Sequence, residues 1–131
     1  MTTLRFRVSD SKVPVALLSR LRKLTSLSIA EIRSRAIESE PVFEITPFQS
    51  DWQDLRHKLV QVAHEITNGS LPLTVTERFA SSEEPVSSEK LRNFIDHFRH
   101  IELETQRDTM LELGEITDPD EFIPYDEDWT K

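Results

Sequence analysis

The chain has 131 residues, 37% apolar content and a net charge of −8, which suits one domain of ordinary size with an appendage. The absence of cysteine excludes disulfides, thiolate catalysis and cysteine-based zinc sites, and two glycines leave no material for a phosphate-cradling loop. No segment approaches the roughly 18 to 20 apolar residues of a membrane span. Arginines in "MTTLRFRVSD" replace the apolar region of a signal peptide. We therefore expect a cytoplasmic protein without membrane contacts.

Charge is distributed unevenly along the chain. Residues 1–40 carry eight Lys/Arg against four Asp/Glu, a net charge of +4. The next forty residues carry −2, and residues 81–131 carry five basic against fifteen acidic residues, a net charge of −10. An acidic chain is repelled by nucleic acid and is suited to a basic protein surface, so we expect a protein partner and no direct nucleic-acid binding.

The first segments alternate between strand and helix patterns. "LRFRV" alternates apolar and basic residues, as a half-buried strand does. A helix is predicted from Pro14, a favoured first helical residue, to about Thr25. A second helix is predicted from the capping box of Ser28 and Glu31, and Pro41 ends it.

Three further elements follow before residue 80. "PVFEITPF" predicts a short strand whose prolines favour a sheet edge. "SDWQDLRHKLVQVAHEITNG" predicts a helix from a Ser50/Gln53 box to the terminating "NG", and "LPLTVTERF" alternates again as a strand. We therefore predict an α+β fold over residues 1–80, in which helices pack on a small three-stranded sheet in the order strand-helix-helix-strand-helix-strand.

The remaining residues are predicted to form an appendage. The Ser/Glu/Pro-rich residues 81–87 are interpreted as a linker, and residues 88–113 as a long C-terminal helix capped by Ser87 or Ser88. The apolar stripe of this helix weakens after Ile101, so its far half could pair with a second copy in a homodimer. Residues 114–131 form an acidic aromatic tail.

The end of the tail, "DPDEFIPYDEDWTK", combines six carboxylates with aromatic side chains. A disordered tail would not need aromatic residues, because low hydrophobicity is what keeps such segments unfolded. Two compatible alternatives remain. The tail is an intramolecular strap whose aromatics pack on its own domain, or it is an arm that binds a partner.

Catalytic and metal sites are not supported by the residue spacing. His97 and His100 share a helix face with Glu104, but no strong third ligand lies nearby. His57 and His64 flank a buried stripe without forming a nucleophile or acid-base set. The basic helices lack the aromatic residues on which single-stranded nucleic acids stack. We expect a protein that is not an enzyme and has no catalytic residue, metal or cofactor.

The segment "LLSRLRKLTSLSIAEIRSRAIESEP" carries a family resemblance. The segment resembles the helix pair in the C-terminal domain of the bacterial ribosomal stalk protein. The similar positions are Thr25, Leu27, the start of the second helix at Ile29 and Glu31, and the final "IESEP". The N-degron adaptor of the Clp protease shares that fold. The resemblance covers residues 4–79, but serines replace the family's glycines between the helices, and its dimerisation region and hinge have no counterpart here.

The resemblance implies an alternative binding surface on the helix pair 14–39. In that family, basic residues of this pair contact translation GTPases, and comparable places are held here by Arg20, Lys23, Arg33 and Arg35. The alternative function is therefore an adaptor or translation-associated module that uses these residues to bind an acidic partner.

The general character of the chain resembles the immunity proteins of bacterial toxin systems, which are small, acidic and cytoplasmic. Carboxylates can mimic the phosphates that a basic nuclease binds, and opposite charge speeds association. The first hypothesis is a non-enzymatic protein that neutralises a basic toxin domain, a nuclease in the first instance. The candidate binding residues are Glu102, Glu104, Asp108, Asp118, Asp120, Glu121, Phe122, Tyr125, Asp126, Glu127, Asp128 and Trp129.

Overall fold

A computed structural model describes residues 2–10, 12–49 and 51–131. The fold is α+β with a long C-terminal helix, as predicted, and the order of elements through residue 79 agrees with the sequence analysis. In chain order the elements are β1 (Thr3–Val8), α1 (Val15–Thr25), α2 (Ile29–Ile37), β2 (Phe43–Ile45), α3 (Trp52–Thr67), β3 (Leu73–Phe79), β4 (Ser82–Val86), α4 (Ser88–Glu112) and a short 3-10 helix (Pro119–Glu121).

The strands form an antiparallel sheet in the order β2-β1-β3-β4. Alternation along β1 buries Leu4 and Phe6 completely beneath the helices. The opposite face carries Arg7, whose guanidinium lies 2.8 Å from the Glu83 carboxylate of β4. Strand β2 is at the sheet edge, as its flanking prolines predicted.

The prediction of three strands was wrong, because residues 82–86 of the predicted linker form a fourth. This strand pairs with β3 in a register that runs from Phe79↔Ser82 to Val75↔Val86. It has no apolar alternation because it is an edge strand, and Val86 is the residue that it buries. The turn residue Ala80 adopts φ 55°, a conformation that hairpin turns need and that glycine usually supplies. The sequence therefore lacked both the usual strand pattern and the usual turn residue.

Helix caps fix where the helices begin. The Ser28 hydroxyl accepts the Glu31 N–H at 3.1 Å at the start of α2, and Ser87 accepts the Lys90 N–H at 3.1 Å at the start of α4, so both predicted caps are confirmed. Ser50, the predicted cap of α3, lies outside the described residues. Among the described helices, none is long and apolar enough to cross a membrane.

The core lies between the sheet and the helices and extends along α4 to the end of the chain. Leu18, Leu21, Ile32 and Leu59 are buried against the inner face of the sheet. Leu91, Ile95 and Phe98 of α4 continue the same cluster, which also includes Trp129 of the tail. The tail is therefore attached to the body by a buried aromatic side chain as well as by the chain itself.

Candidate partner-binding face and the contacts that hold it

The tail packs on α3 and α4. The Trp129 side chain is 4% exposed, and its ring lies 5.6 Å from the Trp52 ring in an edge-to-face arrangement. Trp52 in turn lies 5.7 Å from Phe98, also edge to face. Such aromatic pairs add about 0.5 to 1.5 kcal/mol beyond the burial of their area. The tail thus has the geometry of the intramolecular strap.

Glu102 is the acceptor on which the strap converges. Its carboxylate accepts the indole N–H of Trp52 at 2.8 Å and that of Trp129 at 2.6 Å. Arg56 and Arg99 donate to the same carboxylate at 2.7 and 3.2 Å. Trp52 and Arg56 reach it together because residues four apart share a helix face. Four hydrogen bonds thus satisfy a carboxylate that is nearly buried.

Asp126 brings a second carboxylate from the tail. Its oxygens lie 3.2 Å from Arg56, 3.0 Å from Arg99 and 3.0 Å from the Gln106 amide nitrogen. Two guanidinium groups and two carboxylates thus form a balanced set of charges, as a buried ionic cluster requires. We call this set and its partners the clasp: Trp52, Arg56, Arg99, Glu102, Gln106, Asp126 and Trp129.

The contacts of the clasp shift two pKa values. Burial raises the pKa of the Asp126 carboxyl, but hydrogen bonds from Gln106, Arg99 and Arg56 outweigh burial and hold it below its ordinary value. Burial lowers the pKa of the Arg99 guanidinium, but its bonds to Asp126 and Glu102 reverse this effect and raise it. Both shifts favour the charged forms, so the contact between Arg99 and Asp126 is ionic at neutral pH.

The other carboxylates after Glu102 point outward. Residues 102–131 contain eleven carboxylates and two basic residues. Glu102 and Asp126 belong to the clasp, and the remaining nine are exposed. We call these nine the acidic face: Glu104, Asp108, Glu112, Glu115, Asp118, Asp120, Glu121, Glu127 and Asp128.

Local hydrogen bonds order the tail between the end of α4 and the clasp. Asp118 caps the 3-10 helix by accepting the Asp120 N–H at 3.0 Å, and Glu121 accepts the Asp118 N–H at 3.2 Å. Near the end, Asp128 accepts the Thr130 hydroxyl at 2.6 Å, a bond that lowers the pKa of its carboxyl. The carboxylates of the acidic face that follow Gly114 therefore lie on a segment with its own caps and turns.

Exposed apolar side chains lie within the same region. Leu113, Ile123 and Tyr125 are 68%, 76% and 75% exposed. A cleft of about 660 Å³ opens between α3, the far half of α4 and the tail, and Tyr125 lines it together with Phe48 and Met110. Apolar anchors surrounded by charge are typical of protein-binding surfaces.

The predicted binding residues divide into two groups. Glu102, Asp126 and Trp129 lie inside the clasp and contact their own chain, and Phe122 is half-buried. The others are exposed: Glu104, Asp108, Asp118, Asp120, Glu121, Tyr125, Glu127 and Asp128. A partner can therefore reach the second group while the strap is in place.

Sequence reasoning missed Arg56, Arg99 and Gln106, which hold the tail. A signal was present for the two arginines. Arg56 lies four residues after Trp52 and three before Leu59 on the apolar stripe of α3, and Arg99 lies four residues after buried Ile95 on α4. A charged residue on a buried helix face needs a partner of opposite charge, which indicates a carboxylate elsewhere in the chain.

The basic helix pair is partly engaged in internal contacts. Arg20 binds both carboxylate oxygens of Glu65 at 2.9 and 2.6 Å, and Arg35 donates to the Pro41 carbonyl at 2.9 Å. Lys23 and Arg33 are exposed, without ion-pair partners among the residues that the structure describes. The hydrogen bonds between the tail and other described elements go to α3 and α4.

The histidines of α4 are at the surface. The His100 imidazole lies 3.0 Å from the Glu104 carboxylate, and both side chains are largely exposed. Within the described ranges, no group of three or more potential ligands is placed to hold a metal ion.

Comparison with known proteins gives no relative: no protein-family model, curated protein or solved structure matches this chain. The resemblance of residues 4–79 to the ribosomal stalk domain therefore stays a prediction.

Proposed function

We propose that this chain is a non-enzymatic immunity-type protein that binds and neutralises a basic toxin domain, a nuclease in the first instance. The observation that carries the proposal is the attachment of the tail. The clasp fixes a segment whose outward carboxylates and apolar side chains would otherwise be mobile. The acidic face is thereby presented on an ordered surface: Glu104, Asp108 and Glu112 lie on α4, and the clasp holds the segment that carries Glu115, Asp118, Asp120, Glu121, Glu127 and Asp128.

Order matters for affinity because immobilising side chains and loops on binding costs free energy, about 0.5 to 1.5 kcal/mol for each flexible side chain. A tail that is already held in place avoids much of this cost. Dense negative charge also steers a basic partner toward the surface and raises the association rate at low salt. Both effects suit an inhibitor that must capture its target quickly.

The anchors that give specificity would be the exposed apolar residues. Tyrosine is enriched at binding hot spots because it combines a large apolar ring with a polar end. Tyr125 follows exposed Ile123 and directly precedes Asp126, which holds the backbone at the clasp. The proposal therefore assigns steering to the carboxylates and anchoring to Tyr125, Ile123 and Leu113.

A charge-reversal pair tests the proposal. The test variant carries Asp108→Lys, Glu112→Lys, Asp120→Lys and Glu127→Lys, all on the acidic face and outside the clasp. The matched control carries Glu38→Lys, Glu40→Lys, Glu84→Lys and Asp96→Lys, which are exposed elsewhere. Both variants have the same net charge, so a difference between them reports position rather than total charge.

Each protein is used for affinity capture from the native host, and the captured partner is then purified and assayed. We expect the wild type and the control to retain a basic protein and to inhibit its nuclease activity at equimolar amounts. The test variant should do neither. Equal capture and inhibition by both variants would contradict the proposal, as would a captured partner that is acidic.

The second candidate function is the adaptor, and the exposed Lys23 and Arg33 favour keeping it. Arg20 and Arg35 already bind Glu65 and the Pro41 carbonyl, which leaves a smaller basic surface than the sequence indicated. A Lys23→Glu/Arg33→Glu variant serves as the third arm of the capture experiment. Loss of an acidic partner in this arm alone would transfer the function to the helix pair.

A further inference from the structure

The cleft beside the clasp is a large open feature on the binding side of the molecule. Its volume of about 660 Å³ falls in the range of about 300 to 1,000 Å³ that is usual for ligand sites. One wall is the far half of α4, where the apolar stripe weakens, and the other is formed by α3 and the tail. The chain therefore leaves unfilled a space next to its most acidic segment.

The groups that line the cleft favour a cation. Its charged lining residues are three carboxylates, Glu102, Glu115 and Asp126, and one guanidinium, that of Arg56. The two clasp carboxylates are already paired with Arg56 and Arg99, so Glu115 carries the unbalanced charge of the lining. Glu115 is exposed, and its carboxylate has no ion-pair partner among the described residues. The cleft thus offers a negatively charged hydrogen-bond acceptor, Glu115, that pairs with no cation among the described residues.

The aromatic lining adds a second preference. The Tyr125 ring is 75% exposed and lines the cleft, and Phe48 on the facing wall is 45% exposed. A cation over an aromatic face gains about 0.5 to 1 kcal/mol at an exposed site. Arginine gains more from such a site than lysine does, because its planar group both stacks on rings and pairs with a carboxylate through two parallel hydrogen bonds.

Resting on the proposed function, we propose that this cleft receives an arginine side chain of the basic partner, which stacks on Tyr125 and pairs with Glu115. The stem of the arginine lies along the apolar wall that includes Ile101 and Met110. The acidic face would then attract the partner by its overall charge, and the cleft would select the residue that anchors it.

An NMR titration of the full-length, isotope-labelled protein with blocked amino acids tests the cleft without the partner. The three probes are the N-acetyl methylamides of arginine, lysine and leucine. The Met110 methyl group is a direct reporter, because it lines the cleft and the only other methionine is the first residue. We expect the arginine probe to shift the Met110 and Leu113 signals more strongly than the lysine probe, and the leucine probe to leave them unchanged.

Two variants and two controls assign the contacts. Tyr125→Ala and Glu115→Gln should each weaken arginine binding about threefold to fivefold, the value of one exposed cation–π or charged contact. Tyr125→Phe keeps the ring and should restore binding. Glu127→Gln removes an exposed carboxylate that is not among the lining residues and should have no effect.

Three results would overturn the assignment: equal shifts by the arginine and lysine probes, preferential binding of the leucine probe, or shifts spread over the acidic face without a maximum at the cleft. None of these would affect the charge-reversal experiment, whose substitutions leave the lining residues intact. Failure of the arginine pocket is therefore distinguishable from failure of the proposed function.

Discussion

Different interactions keep the body of the molecule folded and hold the tail on it. Between sheet and helices, side chains such as Leu4, Phe6 and Leu59 are completely buried among apolar neighbours. The clasp instead joins two carboxylates to two guanidinium groups and two indoles. Apolar burial is non-directional and independent of pH, whereas each group of the clasp depends on particular partners. The tail can therefore be released by chemistry that leaves the body folded.

The largest expected effect comes from the core. Leu59→Ala removes a completely buried side chain and should lower the free energy of unfolding by about 2 to 5 kcal/mol, because it loses apolar burial and leaves a cavity. Denaturant unfolding measures the change. We expect the β1 and β3 amides to lose protection from hydrogen exchange together with the tail. Loss of protection in β1 and β3 with the tail still protected would show that the body does not support the clasp.

Breaking the clasp should have a smaller and more local effect. Glu102→Gln keeps the size of the side chain but leaves Arg56 and Arg99 with one carboxylate between them, a loss of about 3 kcal/mol for a buried pair. We expect faster hydrogen exchange in residues 122–130 and little change in the sheet. Glu104→Gln, two residues further along α4 and exposed, is the control and should stay within about 0.5 kcal/mol of the wild type. Uniform destabilisation by Glu102→Gln would contradict a separable tail.

Acid should release the tail through Asp126. The pKa of this carboxyl is lower in the folded protein than in the unfolded chain, where it is about 3.9. Its stabilising contribution is therefore present above about pH 4 and is lost as the pH falls through the folded value. Tryptophan fluorescence, which reports Trp52 and Trp129, should stay constant down to about pH 4 and change below it. Asp126→Asn has no carboxyl to protonate at this position, so the fluorescence change that Asp126 causes in the wild type should be absent from this variant.

The smallest expected effect comes from removing the N-terminal cap of α4, a contact within the body. Ser87 caps α4 through the Lys90 N–H, and Ser87→Ala should cost about 1 kcal/mol. Ser88→Ala, in the first turn and without this cap bond, is the matched control. We expect the loss in Ser87→Ala to appear in global unfolding without selective exposure of the tail. A larger loss in Ser88→Ala would mean that the helix begins elsewhere.

Regular apolar periodicity made most of the fold predictable. The stripes of α1 to α4 and the alternation of β1 and β3 report burial against a common core, so their pattern survives in the sequence. Strand β4 was not predictable, because an exposed edge strand buries one residue, Val86, and its other side chains are free to be polar. Its pairing depends on backbone hydrogen bonds to β3, which composition does not record.

The candidate site was predictable in composition and not in arrangement. The mixture of aromatics and carboxylates indicated that the tail is either a strap or an arm, and Trp129 fits the first description. Which carboxylates face inward depends on where α3 presents Arg56 and α4 presents Arg99. These arginines contact Asp126 from 70 and 27 residues away in the chain. Asp126 and Asp128 are two residues apart with the same chemistry, but one meets Arg99 and the other caps Thr130.

The indole N–H signals of Trp52 and Trp129 give the most direct test of the clasp, because the chain contains two tryptophans and both donate to Glu102. We predict that both indole protons exchange slowly with solvent in the full-length protein and that the two rings show a mutual nuclear Overhauser effect. Fast exchange and an unfolded-chain chemical shift for Trp129, beside a protected Trp52, would contradict the account, because the tail carboxylates of the acidic face would then have no ordered support.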